Sequence, residues 1–226
     1  MKFPHRRQFL GLAASAAALP TISRTARAQD WPTRPIRAIV PFTAGSAVDI
    51  IPRTVFELLG RELGQSIIVE NRTGGGGTIG GTAVAKADPD GHTILVNSSA
   101  HTVIPSLFPN AGYDTARDFS GVIPLGRLPN VLVVDPSKGY KSLRDLVVAA
   151  NAKPGSITYA SAGMGSATHF SAERLRLSAG MEGVHVPFRG APEAYTEVMA
   201  GRVDFFFGAL TSALPLIRDG KLRPWR

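Results

Sequence analysis

One continuous stretch, residues 66–97, has the sequence SIIVENRTGGGGTIGGTAVAKADPDGHTILVN. Its apolar run at Ile67–Val69 predicts a short strand, and Thr78–Ala87 has the composition of a helix. The DPDG tetrapeptide at Asp88–Gly91 predicts a turn, after which Thr93–Asn97 predicts a second strand. A strand, a helix and a second strand in this order are typical of a parallel βαβ unit.

The same alternation continues on both sides of this unit. Predicted strands lie at Ile36–Pro41, Val131–Val134, Ile157–Ala160, Val184–Pro187 and Val203–Phe207. Predicted helices lie at Ala47–Leu63, Leu143–Asn151, Ala167–Ala179, Glu193–Ala200 and Ala213–Asp219. The less regular residues 98–128 separate two such groups. We therefore predict an α/β fold with two doubly wound lobes, residues 29–125 and 126–226, whose parallel sheets carry helices on both faces.

The glycine run raises the question of a phosphate-binding loop. Gly75, Gly77 and Gly80 fit the spacing G-x-G-x-x-G of dinucleotide-binding folds, which also need an acidic residue at the end of the next strand. That strand ends in asparagine and two serines, and a glycine stands where a P-loop has lysine. We therefore interpret the glycines as residues that permit positive φ in a tight turn, and we predict no cofactor. A nucleotide-dependent enzyme is kept only as an alternative.

Two other loops have the chemistry of an anion site. The first is PFTAGSAVD, residues 41–49, after the first strand, and the second is YASAGMGSATH, residues 159–169. In each loop a serine, Ser46 or Ser166, is expected to open the next helix. The free N–H groups and the dipole at a helix N-terminus favour anions. Two such termini, one per lobe and facing each other across a cleft, would hold a ligand with two carboxylates.

Each candidate side chain also has a structural interpretation. Ser46 and Asp49 have nearly the spacing and types of a capping box, so Asp49 either contacts a ligand or caps its own helix. His169 lies either at the cleft or in surface packing. The hydroxyls of Ser161 and Ser166 fit ligand contact or capping better than catalysis. Two further candidates, for which ligand contact is likewise open, are His101 and Arg189.

The chain has no motif that supports catalysis or metal binding. No serine has glycine at both the −2 and +2 positions of a nucleophile elbow. Ser166 and His169 have no evident acid to orient the histidine, so a catalytic triad is incomplete. The five histidines lack H-x-x-x-H and HExxH spacing, and cysteine is absent. We predict that the protein is not an enzyme and holds no metal.

The first 28 residues have the composition of an export signal. An arginine pair at Arg6–Arg7 resembles a twin-arginine signal, Phe9–Leu19 is apolar, and Ala26–Ala28 fits a cleavage site; a general Sec signal is the alternative. Without the five basic residues of this segment, Lys and Arg fall from 25 to 20 against 17 Asp and Glu, which does not indicate a nucleic-acid binder. No later segment reaches the roughly 20 apolar residues of a membrane span. We predict cleavage near Ala28 and a periplasmic protein without stable membrane insertion.

Seven segments between Trp31 and Arg223 together resemble a known family. They are IVPFTAGSAVDIIPR, VENRTGGGGTIGGTAVAKADPDGHTIL, YDTARDF, LPNVLVVDPSKGYKSLRDLV, AKPGSITYASAGMGSATHFSAERL, VHVPFRGAPEAYTEVMAGRVDFFF and LPLIRDGKLR. In this order they resemble the periplasmic solute-binding receptors of the tripartite tricarboxylate transporter system, the Bug family. The resemblance implies a type II periplasmic-binding-protein fold whose two lobes close on a small carboxylate. It also implies delivery to a membrane permease, with a monomer as the usual state.

The resemblance places ligand-binding residues in the same two loops. The predicted ligand-binding residues of the first lobe are Phe42, Thr43, Ala44, Gly45, Ser46 and Asp49, joined by Ser98 and Ser99 at the end of the third strand. Those of the second lobe are Ser161, Gly163, Met164, Gly165, Ser166 and His169, together with Arg189. In a doubly wound lobe the ligand lies at the strand-order switch point. We expect the first and third strand loops there, with the glycine run to one side.

Three features depart from the family pattern. Gly45-Ser46 stands where the family usually has two glycines, so a side chain there would alter the anion pocket. Pro52 lies inside the first predicted helix, where an interior proline costs about 3 kcal/mol and kinks the helix. After GKLR the chain has only Pro-Trp-Arg, whereas family members continue, so the resemblance implies a missing C-terminal return segment, exposed sheet edge and poor folding. The alternatives to a transport receptor are a carboxylate sensor for a membrane kinase and a non-functional truncated remnant.

Overall fold

Strands and helices alternate through most of the chain in the computed structural model, which describes residues 30–225. The predicted signal segment, residues 1–28, lies outside the described residues. From Arg34 onward the described chain forms one compact unit that contains two β-sheets. The prediction of an α/β fold is therefore confirmed.

The elements are numbered in chain order along the described residues. The strands are β1 (Ile36–Val40), β2 (Ile67–Asn71), β3 (Thr93–Leu95), β4 (Asn130–Val134), β5 (Thr158–Ser161), β6 (Val184–Pro187), β7 (Phe205–Ala209) and β8 (Arg223–Trp225). The helices are α1 (Ala47–Leu63), α2 (Thr78–Ala85), α3 (Ala100–Leu107), α4 (Leu143–Ala152), α5 (Ala167–Ala179), α6 (Ala191–Met199) and α7 (Leu210–Arg218). Short 3₁₀ turns lie at Gly75–Gly77 and Pro136–Lys138.

The first sheet has the strand order β2-β1-β3, and both strand pairs run parallel. Ala38 and Val40 of the central strand are fully buried and pack with Phe56 of α1. Because successive side chains of a strand point to opposite faces, the buried Ile39 serves the other face. Helix α2 packs against β1 and β3. The predicted βαβ unit is therefore confirmed, with β1 inserted between its two strands.

The second sheet has the strand order β6-β5-β7-β4-β8. Val133 and Phe206 pack against α6 and α7, whereas their neighbours Val134 and Phe205 pack against α4 and α5. Adjacent residues of one strand thus serve two separate cores, and helices cover both faces of the sheet. Because β5 and β6 are parallel neighbours, the loops that follow them emerge side by side.

Two strands of the second sheet differ from the prediction. Strand β4 runs antiparallel to β7 and β8, because the long connection before it comes from the other sheet and is not a crossover from a neighbouring strand, which would require a parallel pair. The pattern does not predict β8, which is three residues long and contains Pro224, a residue tolerated at a sheet edge. The lobe boundary near residue 125 stays a prediction. We use it to name the first lobe, with the sheet at 36–95, and the second lobe, with the sheet at 130–225.

Two helices also differ from expectation. Helix α3 lies inside the stretch predicted to be irregular, where Pro105 weakens the helical pattern. It forms because Ala100 and Ile104 are buried on one face. Helix α1 continues through Pro52 to Leu63, so this proline does not end the helix.

Candidate functional site

The first loop, residues 41–49, connects β1 to α1. Gly45 has φ +80°, a conformation that other residues rarely adopt, and it turns the chain into the helix. Ser46 is the N-cap residue of α1, but its hydroxyl accepts no capping hydrogen bond. The carboxylate of Asp49 instead reaches back and accepts the Gly45 N–H at 2.9 Å. The structural interpretation of Asp49 thus has direct support from its contacts.

Asp49 also ties the first loop to β2. Its buried carboxylate accepts hydrogen bonds from Arg53 at 3.0 Å and from Asn71 at 2.8 Å. Asn71 in turn donates to the Phe42 carbonyl at 2.9 Å. Burial opposes ionisation of Asp49, yet its hydrogen bonds outweigh burial and lower the pKa of Asp49 below its usual range. The carboxylate is thus occupied by protein donors, and a ligand contact at Asp49 stays a prediction.

We expect Asp49→Asn to lower the free energy of unfolding by about 1–3 kcal/mol, because one amide oxygen cannot serve all three charge-assisted donors. The folded pKa of Asp49 lies below the unfolded value of about 3.9, so this stabilisation is complete above that value and is lost as the pH falls through the folded pKa. Urea unfolding at pH 7 and pH 3 measures the effect. The difference between wild type and variant should shrink at pH 3, and an equal difference at both values would contradict the assignment.

In the second loop, residues 159–169, the stretch 162–166 connects β5 to α5. Ser166 opens α5 as predicted: it is the N-cap residue, and its hydroxyl accepts the His169 N–H at 3.2 Å. The Gly165 N–H donates to His169 Nδ1, also at 3.2 Å. His169 therefore closes the loop onto the first turn of the helix.

Ser161 lies at the base of this loop and is fully buried. Its hydroxyl accepts the Gly163 N–H at 3.1 Å and lies 2.6 Å from His185 Nε2. The His185 ring stacks on the His169 ring with 4.2 Å between centroids. Burial, followed by the neighbouring His169, lowers the pKa of His185 to about 4, and burial also lowers the pKa of His169. Both rings are therefore neutral at pH 7, and ligand contact by Ser161 or His169 stays a prediction.

Both loops present backbone N–H groups that no hydrogen bond uses within residues 30–225. They are the N–H groups of Ala44, Ala47 and Val48 around the start of α1, and of Met164, Ala167 and Thr168 around the start of α5. The buried hydroxyls of Thr43 and Ser46 also have no partner in this part of the chain. Free N–H groups at the positive end of a helix dipole attract anions. Each loop therefore has the donors for one anionic group.

The first loop faces the second lobe at the start of α6. A Cβ atom added to Gly190, the N-cap residue of α6, would overlap Thr43 Oγ1. A Cβ atom added to Gly45 would lie 3.7 Å from Cγ of Pro192. The predicted candidate Arg189 directly precedes Gly190 and is exposed. The first loop and the loop after β6 thus meet across the two lobes.

The second loop faces the glycine run and α3 of the first lobe. A Cβ atom added to Gly76 would lie 2.6 Å from the Phe108 ring and 2.9 Å from the Met164 carbonyl oxygen. A Cβ atom added to Gly165 would lie 2.7 Å from Leu107 Cδ1. The turn with positive φ is confirmed, since Gly76 has φ +64°. The glycine run follows β2, which lies on the side of β1 opposite to β3, so the expectation that it lies to one side of the first and third strand loops stays a prediction. The same turn brings the backbones of the two lobes close enough to exclude a side chain.

The remaining candidates lie around α3. Ser98 and Ser99 follow β3, and because β3 pairs in parallel with β1 they emerge beside the first loop. The Ser98 hydroxyl accepts a backbone N–H of α3 at 3.3 Å, and Ser99 is the exposed N-cap residue of that helix. His101 packs against the rings of Tyr113 and Phe119. It therefore belongs to an aromatic cluster of the first lobe.

Four residues of the site are not predicted from the sequence: Asn71, Gly76, Gly190 and His185. Asn71 lies in VENRTGGGGTIGGTAVAKADPDGHTIL, one of the seven segments that carry the family resemblance, and this is a usable signal for a residue that fixes a loop. Gly190 follows the candidate Arg189 directly. His185 lies in a strand without a local motif, and only the pairing of β5 with β6 brings it to Ser161.

The donors that the site offers are backbone N–H groups and hydroxyls. Residues 30–225 contain no group of three or more His, Asp or Glu side chains arranged to hold a metal ion. In the same range, no helix combines the length and the apolar composition needed to cross a bilayer.

Known proteins resemble this chain in sequence and in structure. Residues 51–225 match the family described as tripartite tricarboxylate transporter family receptor. The UPF0065 protein in the tcbD-tcbE intergenic region of Pseudomonas sp. (strain P51) is 41% identical over 202 residues, which are 89% of this chain and 60% of that protein. R. palustris Rpa4515 with adipate superposes with a TM-score of 0.82 at 34% identity, over 86% of this chain and 65% of that one. MatC (Rpa3494) from Rhodopseudomonas palustris with bound malate superposes with a TM-score of 0.80 at 30% identity, over 86% of this chain and 67% of that one.

These matches bear on the fold and on the family. The chain spans 60% of the length of the Pseudomonas relative and about two thirds of the matched structures. Over the matched part, the periplasmic-binding-protein fold implied by the resemblance is confirmed. The family match covers most of the described residues and includes the second loop, and it begins just after the first loop. The chain therefore belongs to the tripartite tricarboxylate transporter receptor family.

Proposed function

We propose that this chain captures a small dicarboxylate between its two lobes. The observation that carries the proposal is the presence, on each lobe, of a loop with unpaired N–H groups at a helix N-terminus. A dicarboxylate has one anionic group for each loop. The neighbours with adipate and malate support this class, because each of these molecules carries two carboxylates.

The binding mechanism is non-covalent. Backbone N–H groups of the first loop hold one carboxylate and those of the second loop hold the other, through charge-assisted hydrogen bonds. The unpaired hydroxyls of Thr43 and Ser46 add donors to the first group, and the exposed Arg189 adds positive charge beside it. The close approach of the lobes at Gly190 and Gly76 excludes water from the ligand and strengthens these interactions. The family is one of receptors, and no step of this mechanism needs a catalytic group.

We propose the periplasm as the place of capture and a membrane permease as the recipient. The family match to a transporter receptor supports the recipient, and the signal features of residues 1–28 support export, with cleavage near Ala28. A monomer is sufficient for this task, since both loops come from one chain. A membrane kinase that senses the same ligand-bound form is the alternative recipient.

Thermal unfolding of the full chain with added ligands tests the proposal. The panel is malate, adipate and tricarballylate, with the uncharged diamide of adipate as the matched control and NAD as the test of the nucleotide alternative. A ligand that binds only the folded chain, at about 100 times its Kd, adds about 2.7 kcal/mol of stability. We expect a higher unfolding midpoint with at least one carboxylate and no change with the diamide or NAD.

Two other outcomes would overturn the proposal in different ways. A cooperative transition that no carboxylate shifts would mean a folded chain without this activity. The lack of any cooperative transition would support the non-functional remnant instead.

A further inference from the structure

Two histidines lie under the second loop, and the proposed binding mechanism uses neither of them. The Gly165 N–H donates to His169 Nδ1 at 3.2 Å. A backbone N–H only donates, so this nitrogen must carry no proton. Protonation of His169 at Nδ1 would replace a hydrogen bond with two opposed donors, and the loop would lose its closure onto α5.

The second histidine supports the other end of the loop. His185 Nε2 lies 2.6 Å from the Ser161 hydroxyl, which accepts the Gly163 N–H at 3.1 Å. A neutral ring with an unprotonated Nε2 accepts a hydrogen bond from the Ser161 hydroxyl, whose oxygen accepts the Gly163 N–H. Because the two histidine rings stack at 4.2 Å, a charge on one disfavours a charge on the other.

Among the groups around the pair, the Glu173 carboxylate favours a cation, but burial outweighs it at both rings. Tyr159 of β5 stacks on His185 at 5.2 Å, and its hydroxyl donates to Glu173 of α5. The charge of Glu173 acts on both rings. One of its carboxylate oxygens accepts from Tyr159, and the other accepts from Arg176 at 2.8 Å. On the side of the first lobe, the loop meets the apolar Val103 and Leu107. The pair is therefore held in its neutral state by packing.

The geometry points to His169 and His185 as positioning residues that keep the second loop in its ligand-binding form only while both rings are neutral. The inference rests on the proposed function, because the loop is the one proposed to hold a carboxylate. It predicts that ligand affinity is full near neutral pH and decreases in acid. The recognised group remains the carboxylate, and the histidines act on it through the loop.

The direction of the pH effect distinguishes this role from direct contact. Burial lowers the pKa of both rings below the ordinary value of about 6.5, that of His185 to about 4. The neutral form therefore persists above about pH 6.5, and its contribution is lost as the pH falls from there towards 4. A histidine in direct contact with a carboxylate would have the opposite effect, since its protonation would tighten binding.

The test combines NMR of the ligand-free chain with calorimetry of malate binding at pH 7.5 and pH 5.5. In the free wild type, the amide resonances of Gly163 and Gly165 should move with the titration of the histidines, whereas the amide of Gly155 in a distant exposed turn should not. Wild-type affinity should fall between the two pH values by less than about tenfold, the limit for one group with the ordinary histidine pKa of about 6.5, because burial lowers the pKa of His169 below that value. His169→Asn keeps an acceptor without a titrating proton, so it should recover most of the affinity that His169→Ala loses and should remove most of the pH dependence.

The design separates failure of the inference from failure of the proposed function. Malate changes protonation with pH in the same way in the experiments on His169→Asn and on wild type. A difference between their affinity profiles therefore comes from titration of the protein. His101→Gln removes another half-buried histidine, which packs in the aromatic cluster of the first lobe, and it should leave the wild-type profile unchanged. Tighter binding of wild type at pH 5.5, or glycine amides that do not titrate, would overturn the inference. If the amides titrate and no carboxylate binds at pH 7.5, the histidines still hold the loop and it is the proposed function that fails.

Discussion

Gly190→Ala should weaken dicarboxylate binding by roughly 5- to 150-fold, the equivalent of about 1–3 kcal/mol of overpacking. Gly190 has an extended backbone, with φ −178° and ψ 176°, that alanine adopts without strain. The effect therefore comes from the new methyl group, which would overlap Thr43 Oγ1 and lie 2.9 Å from Thr43 Cβ. Since Thr43 belongs to the opposite lobe, the overlap pushes the first loop away from the loop after β6, where the ligand is proposed to lie. Calorimetric titration with malate measures the loss.

The double variant Thr43→Ala/Gly190→Ala is the matched control. Replacing Thr43 by alanine removes Oγ1, the atom nearest the new methyl group, and Cγ2 at 3.2 Å, and leaves only Cβ at 2.9 Å. The loss caused by Gly190→Ala should therefore be several times smaller in the Thr43→Ala background than in wild type, which is a coupling that a double-mutant cycle isolates. The cycle also corrects for any donor that Thr43 itself contributes. Equal losses in both backgrounds would contradict a contact between these two loops.

The sequence predicts those parts of the fold that depend on local periodicity. The apolar run before the glycines, the helix after them and the strand that follows all lie close to their predicted positions. Ser166 opens α5 because a serine before a helical segment satisfies an N–H of the first turn. The antiparallel direction of β4 has no local signal, since the same apolar strand fits either partner direction. Strand β8 is too short for any periodicity.

The candidate site also has features that the sequence predicts and features that it does not. The donors are predictable, because free N–H groups follow wherever a loop opens a helix. The element that each loop contacts in the opposite lobe is not predictable, because Thr43 meets Gly190 and Gly76 meets Met164 across long separations in the chain. The contacts across the lobes pair each loop with a different element of the opposite lobe, and the arrangement of both loops around one ligand stays a prediction. Asn71 likewise reaches its loop only through the register of β1 with β2.

Gly76→Ala should also weaken binding by at least about tenfold, and it should destabilise the free chain. Its φ of +64° imposes about 1–2 kcal/mol on any residue with a Cβ atom, with or without ligand. The new methyl group would additionally lie 2.6 Å from the Phe108 ring and 2.9 Å from the Met164 carbonyl oxygen. The ring is a side chain of the same lobe as Gly76, whereas the carbonyl is backbone of the opposite lobe. Malate calorimetry and urea unfolding measure the two effects separately.

Gly64→Ala separates strain from contact, because Gly64 has a similar φ of +67° and a Cβ atom there would meet nothing within 4 Å. We expect both variants to lose stability through the same backbone strain, and only Gly76→Ala to lose affinity beyond it. Adding Phe108→Ala to Gly76→Ala removes the clash within the first lobe but leaves the one with Met164, so affinity should stay low. If Gly76→Ala instead bound malate as well as Gly64→Ala does, the glycine run would lie outside the ligand-bound contact between lobes. Its four glycines would then serve only the turn that leads from β2 into α2.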